Sequence, residues 1–162
     1  MKEVADLFRQ HGPRVYRRAL KLLGHPADAE EATQDIFLKA MKGLARFQGK
    51  SQLTTWLYEI TTHHCLNHLR DLRRRGELHE AHLSPPAEDA APRAFDLALL
   101  RRLLARADER EAQAAIYVFV DGMSHDEAAA LLQVSRRTVG NLVERFAAAA
   151  RAAASESEGG RR

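Results

Sequence analysis

Two serines eleven positions apart constrain this chain more than any other feature. Ser124 stands three residues before Glu127, the spacing of a capping box, and Ser135 is a second candidate cap opening the next helix. Within Gly122 to Phe146, GMSHDEAAALLQVSRRTVGNLVERF, the two caps predict two helices joined by a tight turn, a helix-turn-helix. Ala128, Leu132, Val134, Val139 and Leu142 fall where such a unit buries apolar side chains, and Ala129 is small where the helices approach most closely. On the second helix Val139, Leu142, Val143 and Phe146 share an inward stripe. Arg136, Arg137, Asn141 and Arg145 are left facing out.

Most exposed arginines are simply solvated. Here they cluster on the N-terminal half of one helix, which favours DNA contact. Arginine forks onto guanine edges or phosphates, asparagine pairs with adenine, and a helix N-terminus attracts phosphate. Two residues depart from the motif. Gln133 stands where the turn usually carries glycine, and Gly140 lies inside the recognition helix at a cost of about 1 kcal/mol against alanine.

A chain of 162 residues holds one ordinary domain or two small ones, and 45% hydrophobic with 29% charged residues marks a folded protein rather than a disordered one. Cys65 is the single cysteine, which excludes an intramolecular disulfide. No apolar run approaches the roughly eighteen residues that span a bilayer, and no signal segment precedes Val4, so no membrane insertion is expected and the cytoplasm is the expected compartment. The net charge of +3 is small for a nucleic-acid binder, but its distribution is uneven. Arg70, Arg73, Arg74 and Arg75 end in a spacer, residues 76–94, that carries Glu77, Glu80, Glu88, Asp89 and Pro85, Pro86 and Pro92. That spacer lacks helical periodicity and reads as a flexible linker between two helical domains, residues 1–75 and 95–154, with a disordered tail over 155–162. No strand-like alternation occurs on either side, so the predicted fold is all-α.

In the first half, Val4, Leu7, Phe8, Val15, Tyr16, Ala19, Leu22 and Leu23 keep a helical spacing that Gly12 and Pro13 are expected to kink or divide. The next helix is predicted to start near Asp28, with Glu31 completing a capping box, and to bury Ala32, Ile36, Phe37, Ala40, Met41 and Leu44. Its other face, Glu31, Gln34, Asp35, Lys39 and Lys42, reads on physics alone as an ordinary mixed-charge surface. A polar loop, Gln48 to Gln52, precedes a third helix from Leu53 to Leu69 that runs into the arginines. There Trp56 and Tyr58 precede His63, His64, Asn67 and Arg70, and rings beside cations suit unstacked bases. Trp56, Leu57, Ile60 and Leu66 equally suit a core.

His63, His64, Cys65 and His68 raise a metal reading, since His64 and His68 are one turn apart. A closed zinc site needs about four convergent ligands, and neither a second cysteine nor an acidic cluster lies nearby in sequence, so no metal and no cofactor are expected. No nucleophile, base and orienting group can be named from spacing, and no phosphate-binding glycine loop is present, which leaves no catalytic residue and makes an enzyme the least supported class.

The order DAEEATQDIFLKAMKGLARF, then TTWLYEITTHHCLNHLRDLRRR, then DGMSHDEAAALLQVSRRTVGNLVERF resembles the bacterial sigma-70 family, specifically the small extracytoplasmic-function sigma factors, over Leu7 to Arg151. The resemblance implies a sigma2-like domain followed by a sigma4-like helix-turn-helix domain. It assigns Glu31, Gln34 and Asp35 to docking on the β′ coiled coil of core RNA polymerase, reversing the plain reading of that face. It assigns Trp56, His63, His64, Asn67 and Arg70 to the melted -10 element and Arg73, Arg74 and Arg75 to phosphate. Arg136, Arg137, Thr138, Asn141 and Arg145 would read the -35 element as duplex, in a domain held on the polymerase β flap. An anti-sigma partner, which can hold such a chain at the inner membrane, is also implied. Leu57 lies where housekeeping relatives have a second tryptophan, and narrower promoter choice is expected. Ala107 to Arg110 replace the usual Leu-Pro-Glu-Arg, which leaves a helix boundary open. The rival readings are a free-standing helix-turn-helix regulator, whose dimers would bind two-fold sites, and an adaptor that binds protein only.

Overall fold

The computed structural model describes residues 2–47, 49, 52–76 and 97–160, and every regular element among them is helical. The expected linker beyond Gly76, Gln48, Lys50 and Ser51 of the polar loop, the side chain of Val4 and the last two residues lie outside the described residues. The chain divides into two compact units, residues 1–86 and 87–162.

In the first unit α1 (Lys2–Leu23), α2 (Pro26–Leu44) and α3 (Leu53–Arg74) each pack against the other two. Their shared core holds Leu7, Val15, Leu22, Ile36, Phe37, Leu57, Leu66 and Leu69. Of the kink or division expected at Gly12 and Pro13, the division does not occur: one helix runs through both residues. Burial of Leu7 on one side of Pro13 and of Val15, Ala19 and Leu22 on the other favours a continuous stripe. The start of α2 also differs from expectation. Pro26 opens the helix and His25 caps it with extended backbone and no side-chain bond, so Asp28 sits inside the first turn rather than ahead of it. Proline suits that position because its missing N–H would be unpaired there anyway. Met41, expected in the core, is 43% exposed, and Leu38 is 53% exposed. Gln34, Leu38 and Met41 follow helical spacing along an outer strip of α2.

One buried cation stiffens this unit. Arg18, on α1 and only 5% exposed, donates to the Tyr58 carbonyl at 3.1 Å and to Thr62 Oγ1 at 2.8 Å, both on α3. Its guanidinium carbon lies 3.9 Å from the centre of the Tyr58 ring, within cation–π range.

The second unit contains α4 (Leu97–Arg106), α5 (Glu109–Ala115), a π-helical turn (Ile116–Val120), α6 (His125–Leu132) and α7 (Arg136–Gly159). Asp108 stands at the N-cap position of α5, with no side-chain bond, and α5 begins at Glu109, which settles the boundary left open by the missing proline. Leu100, Leu104, Ile116, Tyr117, Val139 and Phe146 form the centre of its core. The tail expected from Ser155 is helical as far as Gly159. The alanine-rich run from Ala147 to Ala154 favours helix, Arg151 pairs with Glu144 at 2.7 Å, and the Ser155 hydroxyl donates to the Arg151 carbonyl at 3.0 Å.

Candidate nucleic-acid interface

The helix-turn-helix is built by its caps. The Ser124 hydroxyl accepts from the Glu127 N–H at 3.1 Å while Glu127 Oε2 accepts from the Ser124 N–H at 2.8 Å, a complete capping box. Ser135 likewise accepts from the Thr138 N–H at 3.1 Å and so fixes the start of α7. Between the helices Gln133 adopts φ 55° and ψ 45°, the left-handed conformation that glycine takes at lower cost. Ala128, Ala129, Val139, Leu142 and Phe146 are buried as the spacing predicts, whereas Leu132, Val134 and Val143 are only half-buried.

Arg136, Arg137, Asn141 and Arg145 are all exposed along α7, and Thr138 is half-buried with its hydroxyl 2.9 Å from the Ser135 hydroxyl. Two of the arginines have loose ionic neighbours: Arg136 lies 3.6 Å from Asp126 and Arg145 lies 3.8 Å from Glu111. The Arg136 pair, exposed on both sides, is worth about 0–1 kcal/mol, little enough for a phosphate to displace. A Cβ added at Gly140 would meet His125 Nδ1 at 3.9 Å, an ordinary contact, so packing among the described residues does not require glycine there.

In the first unit the predicted base-reading residues divide between two faces of α3. Trp56 is half-buried, with its ring 5.0 Å from that of Phe47 and against the C-terminal end of α2. Gly43 makes that seat possible, because a Cβ there would lie 2.9 Å from Trp56 Cζ2. His63, Asn67, Arg73, Arg74 and Arg75 are exposed, Arg70 is half-buried, and Arg74 pairs with Asp71 at 2.9 Å. Burial pushes the Glu59 carboxyl up, and His63 one turn away partly opposes this.

His64 faces α2 instead. Its Nδ1 lies 2.8 Å from Lys39 Nζ and its Nε2 lies 3.9 Å from Asp35 Oδ2. His68 follows on the same strip, with Nε2 3.7 Å from Asp28 Oδ2. Glu31 and Gln34 are exposed and Asp35 is half-buried. His64 and Asn67 therefore line one cleft with Glu31 and Asp35, joining residues that the sequence assigns to separate tasks. Cys65 turns into the core, where burial pushes its thiol up to about 12, so it supplies no thiolate. Among the described residues no three His, Cys, Asp or Glu side chains are grouped to hold a metal ion. No described helix is long and apolar enough to cross a membrane.

Local signals in the sequence locate the α7 surface but not the seat of Trp56 or the partners of His64. Gly43 and Phe47 lie outside the helix that carries Trp56, and Lys39 and Asp35 reach His64 from α2, so only tertiary packing reveals them.

Comparison with known proteins bears on both units. Residues 7–75 match the family described as sigma-70 region 2, and residues 106–155 match a homeodomain-like domain. The chain is 34% identical over 150 residues to the ECF RNA polymerase sigma factor SigE of Mycolicibacterium smegmatis, covering 86% of this chain and 57% of that protein. It is 31% identical over 140 residues to the ECF RNA polymerase sigma factor SigM of Mycobacterium tuberculosis, covering 83% of this chain and 68% of that one. Its fold is similar to that of the sigma factor RpoE from Bartonella quintana, solved in complex with the anti-sigma factor NepR. The TM-score is 0.52 at 22% identity, over 93% of this chain and 95% of that one.

Proposed function

The chain belongs to the extracytoplasmic-function sigma factors of the sigma-70 family, and from that premise we propose that it is a promoter-specificity subunit without catalysis of its own. It binds core RNA polymerase through Glu31, Gln34 and Asp35 on α2 and through the second unit. It reads the -35 duplex with Arg136, Arg137, Asn141 and Arg145, and captures melted -10 bases beside Trp56. Carrying this reading is one observation: a sigma-70 region 2 match precedes a capped helix-turn-helix whose arginines face outward.

The energetics are adequate for such a role. Unstacking a base costs a few kcal/mol, and stacking it on an aromatic ring returns about 1–3 kcal/mol. The half-exposed Trp56 ring and the exposed arginines at the end of α3 supply a stacking surface and phosphate contacts together. Linking two weak readers raises their effective local concentration, so neither need bind tightly alone. An anti-sigma partner is proposed by analogy with the RpoE complex, and the cytoplasm as the place of action.

Run-off transcription with core polymerase on a genomic promoter library tests the proposal. Co-elution with core and initiation at a narrow set of promoters are expected, and Asp35→Lys should abolish both. A chain that neither co-elutes nor initiates anywhere is not such a subunit. The homeodomain-like match over residues 106–155 favours one alternative, a free-standing regulator. Tight binding to two-fold sites without polymerase would support it instead.

A further inference from the structure

The cleft between α2 and α3 sets His64 and Asn67 against the face of α2 proposed for docking. From α2 it receives Asp28, Glu31, Asp35 and Lys39, and from α3 it receives His68 and Asp71 around the ring of His64. Lys39 Nζ lies 2.8 Å from His64 Nδ1. An ammonium group only donates, so Nδ1 must present its lone pair, and the ring is neutral with its proton on Nε2. That proton is on the side of Asp35, whose Oδ2 lies 3.9 Å from Nε2, an electrostatic contact rather than a hydrogen bond. One ring on α3 therefore engages two residues of α2 that are a single turn apart. The His64 side chain is only 14% exposed, which limits replacement of these partners by water.

We propose that His64 is a positioning residue for polymerase docking: its neutral ring holds Lys39 and aligns Asp35 on the α2 face, and protonation of the ring releases that arrangement. The inference rests on the docking role proposed above for that face. A proton on Nδ1 would set two cations 2.8 Å apart, so Lys39 must leave. The new imidazolium would also draw Asp35 inward, away from an incoming partner. Burial first and Lys39 second press His64 below the ordinary histidine value, with Asp35 opposing and His68 adding to the effect. Because the folded ring resists protonation, the unfolded chain binds the proton more readily. Stability contributed by neutral His64 is complete above about pH 6.5 and falls as the pH drops below that value.

Two measurements on the full chain test this. Long-range nitrogen–proton NMR should show His64 as the Nε2–H tautomer, titrating below the ordinary value. Lys39→Met should raise that titration and Asp35→Asn should lower it. A proton on Nδ1 at neutral pH, or a titration unmoved by Lys39→Met, overturns the proposal whatever the polymerase does. Binding to core polymerase is the second measurement. His64→Leu should weaken it about 5- to 10-fold at pH 7.5, and His64→Gln, whose amide oxygen accepts from Lys39 without titrating, should restore it. Wild type should lose affinity on acidification more steeply than His64→Gln. Equal affinities and slopes for wild type, His64→Leu and His64→Gln overturn the positioning role. If Asp35→Lys also binds core normally, the docking assignment itself has failed, a result separable from the NMR behaviour of His64.

Discussion

The two helical units differ in what fixes their outward side chains. In the second, Ser124 and Ser135 bond to backbone three residues ahead, and the arginines of α7 follow from the helical period. In the first, Trp56 rests on Gly43 and Phe47 and His64 on Lys39, so each orientation depends on a neighbouring helix. A surface built by local bonds tolerates changes elsewhere in its unit. One built by contacts between helices inherits every disturbance of their packing.

The largest expected effect tests that dependence. Arg18→Leu removes two hydrogen bonds from a buried charged donor to α3 and should destabilise the first unit by about 2–3 kcal/mol. Denaturant unfolding followed by Trp56 fluorescence measures it cleanly, since this is the only tryptophan in the chain. Hydrogen exchange at the Thr138 amide should remain unchanged. Equal loss of protection at Thr138 would show that the two units share their stability, and the comparison would break.

Gly43→Ala should have the next largest effect. Its new Cβ would lie 2.9 Å from Trp56 Cζ2, so the indole must shift, at a cost of about 1–2 kcal/mol. Tryptophan emission should move to longer wavelength as the ring is displaced toward water. Unchanged emission and stability would mean that Trp56 does not need this seat.

These contrasts also explain what was legible from the sequence. Helical class follows from periodicity, the two-unit order from the acidic, proline-containing spacer, and both serine caps from their spacing. Met41 did not: its period matched the core stripe, but three packed helices leave the outer strip of α2 uncovered. The start of α2 lies at Pro26 rather than near Asp28, because a proline fits the first helical position, where its missing N–H would be unpaired anyway. Pro13 failed to divide α1 because propensity is a weak prior once buried residues on both sides hold the helix in place. The placement of His64 against α2 could not be read at all, because helical period gives the angle of a residue but not the neighbour it meets.

Smaller effects belong to the second unit. Ser124→Ala removes one acceptor of the capping box and should cost about 1 kcal/mol, seen as faster hydrogen exchange at the Glu127 amide. Little effect is expected at the Thr138 amide, which has its own cap in Ser135. Matching losses at both amides would show that the two helices form one cooperative element rather than two locally fixed ones.

Gly140→Ala carries the smallest expected effect and the opposite sign. Alanine favours a helix interior by about 1 kcal/mol over glycine, and beyond its own helix a new Cβ would meet, among the described residues, His125 Nδ1 at an ordinary contact distance of 3.9 Å. Gains of up to that size should therefore appear in the melting of the second unit. Binding to a -35 duplex then separates two accounts of the glycine. If affinity falls while stability rises, Gly140 is kept for close approach to DNA, and the α7 surface is tuned at the backbone as well as at its arginines. If both rise together, the glycine only weakens the helix, and recognition rests on side chains whose directions the two serine caps already fix.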